Sequence, residues 1–294
     1  MLTRRRLLTL TGGGVALAAG ATVGCGTDTS GSTLDRMRRA GIARVGIAGE
    51  RPFGYSSPEG RVTGEAPEIA RAALATLDVG GIEAVQVGFS QLIPGLRAGQ
   101  FDIITAGLTI TPRRCQRVLF SRPDFVAPTA FLVRRGNPDR IDSFDDVRRR
   151  GITLGVLSDS VEQEYARAAG IPDAGTAVFD GQSSLFRAVE DGRVPVGALT
   201  RISLLDEIAR NPGSRLEVTG DVRPVVDGQE AVPAGAFAFR EEDRELRDAF
   251  DGALTALQDS GEWLRIAAPF GFTSANLPPR DLTTATLCER PARP

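Results

Sequence analysis

The stretch Phe101–Phe125, FDIITAGLTITPRRCQRVLFSRPDF, carries the residues best suited to chemistry. An apolar pair, Ile103-Ile104, reads as a buried strand. The small residues Thr105, Ala106 and Gly107 follow it, and glycine lets a ligand approach the backbone closely. Thr111-Pro112-Arg113-Arg114 then has the form of a helix start, with threonine as N-cap and proline at the first helical position. Free helix N–H groups beside guanidinium forks attract carboxylates. The competing reading of the same residues is a surface turn with solvated arginines.

Composition narrows the remaining chemistry. The chain has 294 residues, of which 41% are hydrophobic, enough for a substantial core in one or two domains. A net charge of −2 leaves no basic footprint for nucleic acid. All positive side chains are arginines, and histidine is absent, which removes the commonest general base and metal ligand. No metal site or cofactor is expected.

Residues 1–24 read as an export signal. Thr3-Arg4-Arg5-Arg6-Leu7-Leu8 resembles a twin-arginine signal, followed by a weakly apolar run rich in glycine and alanine. Ala21-Thr22-Val23-Gly24-Cys25 resembles a bacterial lipobox with Thr22 in place of the usual leucine, so Cys25 is expected to be acylated. The run is too short and glycine-rich for a membrane span. Residues 25–33 then form a polar tether. With Cys25 lipidated, Cys115 and Cys288 remain in a compartment that permits disulfides. Their even count favours a bridge over two buried thiols.

The elements that must position the arginines alternate between strand and helix. Strand character at Ala43–Ala48 and Ile82–Phe89 brackets a helical pattern over Gly64–Leu77, and Ser90 reads as the cap of a helix over Ser90–Ala98. Ala130–Val133 reads as a further strand. A second series runs through a helix at Ser143–Arg150, strands at Thr153–Leu157, Ala177–Phe179 and Val194–Leu199, and helices at Val161–Ala169 and Ser183–Asp191. Strand character returns at Val232–Phe239, before an amphipathic helix over Arg244–Ser260 and a helical continuation to Phe270 around a core Trp263. The rhythm predicts parallel α/β sheets with ligands at the strand C-termini. Crossings near Leu132–Gly136 and Val232–Phe237 predict two lobes, a hinge and a cleft, with lobe 1 from 34–134 and 236–294 and lobe 2 from 135–235. The tail beyond Leu277 has only Cys288 to order it.

The blocks GRVTGEAPEIA, QLIPGLRAGQFDIITAG, ITPRRCQRVLFS and SGEWLRIAAPFGF, in that order, resemble the family 3 extracellular solute-binding proteins of ABC importers, and among them the ectoine- and hydroxyectoine-binding members. The resemblance runs from about Leu34 to Cys288. It implies a type II periplasmic-binding fold, capture of a small zwitterion by a monomer, delivery to ABC permease subunits, and tethering to the outer face of the cell membrane. It implies that Arg114 grips the ligand carboxylate, a task for a planar guanidinium fork, while Arg113 stays on the surface. It places Glu50 opposite the ligand cation, Phe53 and Phe89 as cage walls, and Ser160 and Thr200 as further contacts. Cation–π contacts of this kind contribute roughly 0.5–2 kcal/mol each. Without the resemblance both phenylalanines read as core.

Three positions depart from that pattern. Thr109 stands where ectoine binders carry an aromatic. Thr200-Arg201 replaces an acidic residue that meets a ligand ammonium, so Arg201 either suits a more acidic ligand or faces solvent. Pro195 replaces a frequent aspartate. A polar amino-acid receptor of the same family is the alternative. A dehydratase-like enzyme using Glu50 as general acid, and a sensory module presenting ligand to a receptor, are further readings.

Overall fold

The computed structural model describes residues 31–289. The export signal and the lipidation expected at Cys25 therefore lie outside the described residues. Among those described, no helix is long and apolar enough to cross a membrane.

The chain opens with helix α1 (Thr33–Ala40), whose N-cap Ser32 accepts from the Asp35 backbone. Strand β1 (Ile42–Ile47), helix α2 (Glu65–Ala75), strand β2 (Gly81–Gln86), helix α3 (Leu92–Arg97) and strand β3 (Ile103–Thr109) follow, with β1 parallel to both β2 and β3. Ile103 and Ile104 belong to different hydrophobic clusters, one on each face of the sheet, as the pleat requires of a strand buried on both sides. Helix α4 (Pro112–Cys115) and the short strands β4 (Leu119–Phe120) and β5 (Phe125–Val126) complete this segment.

A second sheet contains β6 (Thr129–Arg134), β7 (Leu154–Leu157), β8 (Thr176–Phe179), β9 (Val196–Thr200) and β10 (Leu216–Val218), in the order β8-β7-β9-β6-β10. Helices α5 (Phe144–Arg150), α6 (Val161–Ala168), α7 (Gln182–Glu190) and α8 (Arg201–Arg210) connect its strands. The chain then returns through β11 (Ala234–Phe239), antiparallel to β3, β4 and β5, so the first sheet runs β2-β1-β3-β11-β4. Helices α9 (Arg244–Ser260) and α10 (Glu262–Ala267) pack on the first sheet, with Trp263 fully buried.

Three expectations change. Ala130–Val133 was expected to close lobe 1, yet Thr129–Leu132 pairs with Gly197–Thr200 in the second sheet. The first crossing therefore precedes Thr129, and Ala127 N–H bonds Pro233 C=O at 2.8 Å beside the returning strand. In sequence, β6 looks the same whichever sheet pairs with it. Ser90 caps no helix: Phe89–Gln91 is a 3₁₀ turn, and α3 begins at Leu92 without a side-chain cap. The tail has more holding it than one cysteine. Helix α11 (Thr284–Cys288) buries Leu287, and the Thr284 hydroxyl donates to Ser121 C=O at 2.6 Å. Cys115 and Cys288 are bonded, with Cα atoms 5.7 Å apart.

Candidate ligand cleft

Arg114 is built from its immediate neighbours. Thr111 is the N-cap of α4 and accepts from the Arg114 backbone, with Pro112 in the first turn. The guanidinium donates through Nη1 to Thr109 C=O at 2.8 Å and through Nη2 to Asp159 C=O at 2.9 Å. Its central carbon lies 5.6 Å from the Phe89 ring centroid. Only 3% of the residue is exposed. Burial pulls its pKa down, partly offset by the charges of Glu164 and Asp159, yet a guanidinium stays protonated in proteins. Among the described residues, no carboxylate lies within ion-pair distance of it. A buried charge held only by carbonyl dipoles is poorly compensated, and a carboxylate is the group a guanidinium fork pairs with most strongly.

Glu50 follows β1 and is also buried. Ser203 Oγ, on α8, donates to its Oε1 at 2.7 Å. Burial pushes the carboxyl from 4.5 to about 7, with the Ser203 bond opposing and the charge of Glu162 adding to the rise. Glu162, in the first turn of α6, accepts from Thr129 Oγ1 at 3.0 Å, and burial raises its pKa as well. Glu162 acts electrostatically on both Glu50 and Arg114, which sets the three charges in one region.

The other expected contacts divide. Phe89 is partly buried beside Arg114. Thr109 ends β3 and supplies its carbonyl to Arg114. Ser160 caps α6 by accepting from the Gln163 backbone. Thr200 stands at the N-terminus of α8, partly exposed, without capping it through its side chain. Phe53 lies elsewhere: it is 1% exposed, and its ring meets Phe125 and Phe272 at 4.9 and 5.7 Å. It can sink there because Gly107, at φ +64°, has no side chain; a Cβ on Gly107 would come within 2.5 Å of the ring. Phe53 and Phe89 belong to separate hydrophobic clusters: Phe53 packs in the core with Phe125 and Phe272, while Phe89 stays partly buried beside Arg114.

The departures from the family pattern also find places. Arg201 pairs with Asp221 at 3.3 Å and is half-exposed, so it adds no free charge to the cleft. Pro195 is exposed immediately before β9, at the opposite end of that strand from Thr200. Arg113 stays exposed, as expected, where it pairs with Asp159 at 2.7 Å and lies 3.8 Å from Glu164. Sequence reasoning missed Ser203, Gln182 and Glu162. They begin helices as ordinary polar residues, and Ser203 meets a partner 153 positions away. Among the described residues no cluster of histidine, cysteine, aspartate or glutamate is placed to hold a metal ion.

The arrangement offers one buried guanidinium and two buried carboxyls, which suits a ligand carrying a carboxylate and a cation. Comparison with known proteins gives this geometry a context. Residues 43–273 match the model of the bacterial extracellular solute-binding proteins, family 3. A probable amino-acid ABC transporter periplasmic-binding protein, y4tE, of Sinorhizobium fredii is 31% identical over 261 residues, covering 87% of this chain and 86% of its own. The crystal structure of EhuB in complex with hydroxyectoine superposes with a TM-score of 0.80 at 33% identity, covering 88% of this chain and 98% of EhuB. The ancestral amino acid-binding protein AncCDT-1, a precursor of cyclohexadienyl dehydratase, superposes at 0.70 with 28% identity, covering 81% of this chain and 99% of that one.

Proposed function

Because this chain belongs to the bacterial extracellular solute-binding proteins of family 3, we propose that the solute it carries to its ABC importer is a small zwitterion of the ectoine and hydroxyectoine type. The observation that carries the reading is the buried Arg114 guanidinium, without a carboxylate partner, in the same region as the buried Glu50. The ligand carboxylate takes the free edge of Arg114, and its delocalised cation meets Glu50, with Phe89 as the aromatic face beside the guanidinium. The likeness to EhuB, whose structure contains hydroxyectoine, supports the choice.

The two sheets act as lobes, divided at residues 127–128 and 232–233, that close on the solute, with Ser160 and Thr200 contributed by the second. Capture breaks no bond. Glu50 owes its raised pKa to burial, and the part of the ligand it meets is a cation rather than a leaving group. The protein works as a monomer tethered through an acylated Cys25, and Cys25→Ala releases it from membranes into the soluble fraction.

A second reading has its own support. Thr109 leaves one side of the cage without an aromatic, and the extra carboxyl of Glu162 favours a ligand with more positive charge, such as a polar amino acid with a basic side chain. A thermal-shift screen of the mature protein against hydroxyectoine, ectoine, betaines and amino acids separates the two. A ligand at a hundred times its dissociation constant stabilises by about 2.7 kcal/mol. A response to amino acids with none to ectoines overturns the first reading.

A further inference from the structure

Beside the cleft, the turn at Glu50 and Arg51 is tied to the second sheet by contacts that use none of the groups assigned to ligand binding except one oxygen of Glu50. Gln182, the first residue of α7, is 6% exposed. Its Oε1 accepts from Arg51 N–H at 3.0 Å, and its Nε2 donates to Arg51 C=O at 3.0 Å and to Ser203 C=O at 2.7 Å. One carboxamide thus pairs with the backbone of Arg51 as a neighbouring strand would, and both of its donor hydrogens are engaged. Ser203 links the same node to Glu50 through its hydroxyl. The Arg51 side chain adds an ion pair to Asp206 at 3.4 Å and stacks 3.7 Å from the Tyr55 ring centroid.

We infer that Gln182 is a positioning residue for solute capture: it latches the Glu50–Arg51 turn of the first lobe to helices α7 and α8 of the second without touching the solute. The inference rests on the two-lobed reading above, and it goes beyond that reading in assigning part of the closing free energy to the protein itself. Opening the cleft breaks both Gln182–Arg51 hydrogen bonds together with the Ser203–Glu50 one, and leaves the carboxamide only its bond to Ser203 C=O until water reaches it. The latch therefore raises the fraction of protein in the binding-competent form, and apparent affinity scales with that fraction. Because the latch exists only when the lobes are together, its loss speeds dissociation and leaves association nearly unchanged.

The test combines a ligand-free measurement with a ligand-bound one. Small-angle scattering of the ligand-free mature protein is expected to fit the closed form for wild type. Gln182→Ala should shift the profile toward a larger radius of gyration. In stopped-flow titrations with hydroxyectoine, Gln182→Ala should raise the dissociation rate about tenfold with association within about twofold. Gln182→Glu keeps the shape and the acceptor for Arg51 N–H but loses both donors, so it should behave like the alanine variant; full rescue by glutamate would mean that the residue only fills space. The latch is overturned if wild type without ligand scatters as an open form, or if both variants superpose on a closed wild type. Should hydroxyectoine fail to bind wild type, the solute assignment falls, while the scattering of the ligand-free proteins still decides the latch.

Discussion

The two ends of the proposed ligand site are made in opposite ways. At the anion end, Arg114 is held by Thr109 and Thr111 from its own segment, and only the carbonyl of Asp159 comes from afar. The next residue, Cys115, is covalently tied to Cys288. At the cation end, Glu50 is held by Ser203, and the turn after it by Gln182, both on helices of the other sheet. A local cap and a covalent tie keep a charge in place whether or not the lobes meet. A group held across the cleft takes its final environment only on closure. The anion end is thus the standing half of the site, and the cation end is completed by the fold as a whole.

The largest expected effect breaks the standing half. The Cys115–Cys288 bridge spans 173 positions, and chain entropy for so long a loop gives up to about 5 kcal/mol. Cys288→Ser is expected to lower the urea midpoint sharply and to loosen α4 beneath Arg114; an unchanged midpoint would show that α11 packs as well without the bond. Arg114→Ala comes next, at roughly 3 kcal/mol or more of binding free energy, above a hundredfold in affinity. Arg113→Ala removes a half-exposed ion pair with Asp159, for which about 0.2–1 kcal/mol is expected. Calorimetry that finds these two variants equal removes the basis for the anion site.

The cation end is best probed by pH. Burial raises the Glu50 carboxyl from 4.5 to about 7, so the folded protein holds this proton more tightly than the unfolded chain does. The resulting stability is fully present below pH 4.5 and is lost as pH rises through 7. For binding the sign reverses, since a cationic ligand needs the carboxylate. Affinity should fall by about tenfold per pH unit below 7 as each binding event expels a proton. Glu162, the nearby acid that raises Glu50, remains in the Glu50→Gln variant, which should bind weakly and lose most of this pH dependence. Calorimetry at several pH values, in buffers of different ionisation enthalpy, reads both the slope and the proton.

A modest effect concerns Thr109. A ring at Thr109→Phe adds an aromatic face beside Phe89 and should tighten ectoine by roughly 0.5–2 kcal/mol. Overpacking would instead cost about 1–3 kcal/mol. Paired titrations with ectoine and glutamate decide between the two: tighter ectoine with unchanged or weaker glutamate supports the cage, and weakening of both shows that the side is already filled.

The legibility of these parts in sequence follows the same division. The N-cap Thr111, the proline after it and the alternation of strands and helices are short-range signals, and the structure carries each of them. The disulfide was reached from cysteine count and compartment without geometry. Phe53 and Phe89 look alike in sequence, both next to glycine at or just beyond the end of a strand reading. Only packing separates them: Gly107 leaves room for one ring to join Phe125 and Phe272, while the other stays beside Arg114. Arg201 likewise reads in sequence either as a charge suited to a more acidic ligand or as a solvent-facing side chain, and only the structure gives it a partner, a half-exposed Asp221 at 3.3 Å.

By itself the sequence determined the element order, the N-capped turn that carries Arg114 and the family, because caps, periodicity and ordered motif blocks depend on neighbours within a few residues of one another. The tertiary structure alone decided which sheet claims Thr129–Arg134, that Ser203 and Gln182 reach the Glu50 turn, and that Glu50 is buried far enough to hold its proton to about pH 7. Strand pairing, cross-cleft hydrogen bonds and desolvation join residues many tens of positions apart or depend on everything packed around them, and no local pattern encodes that.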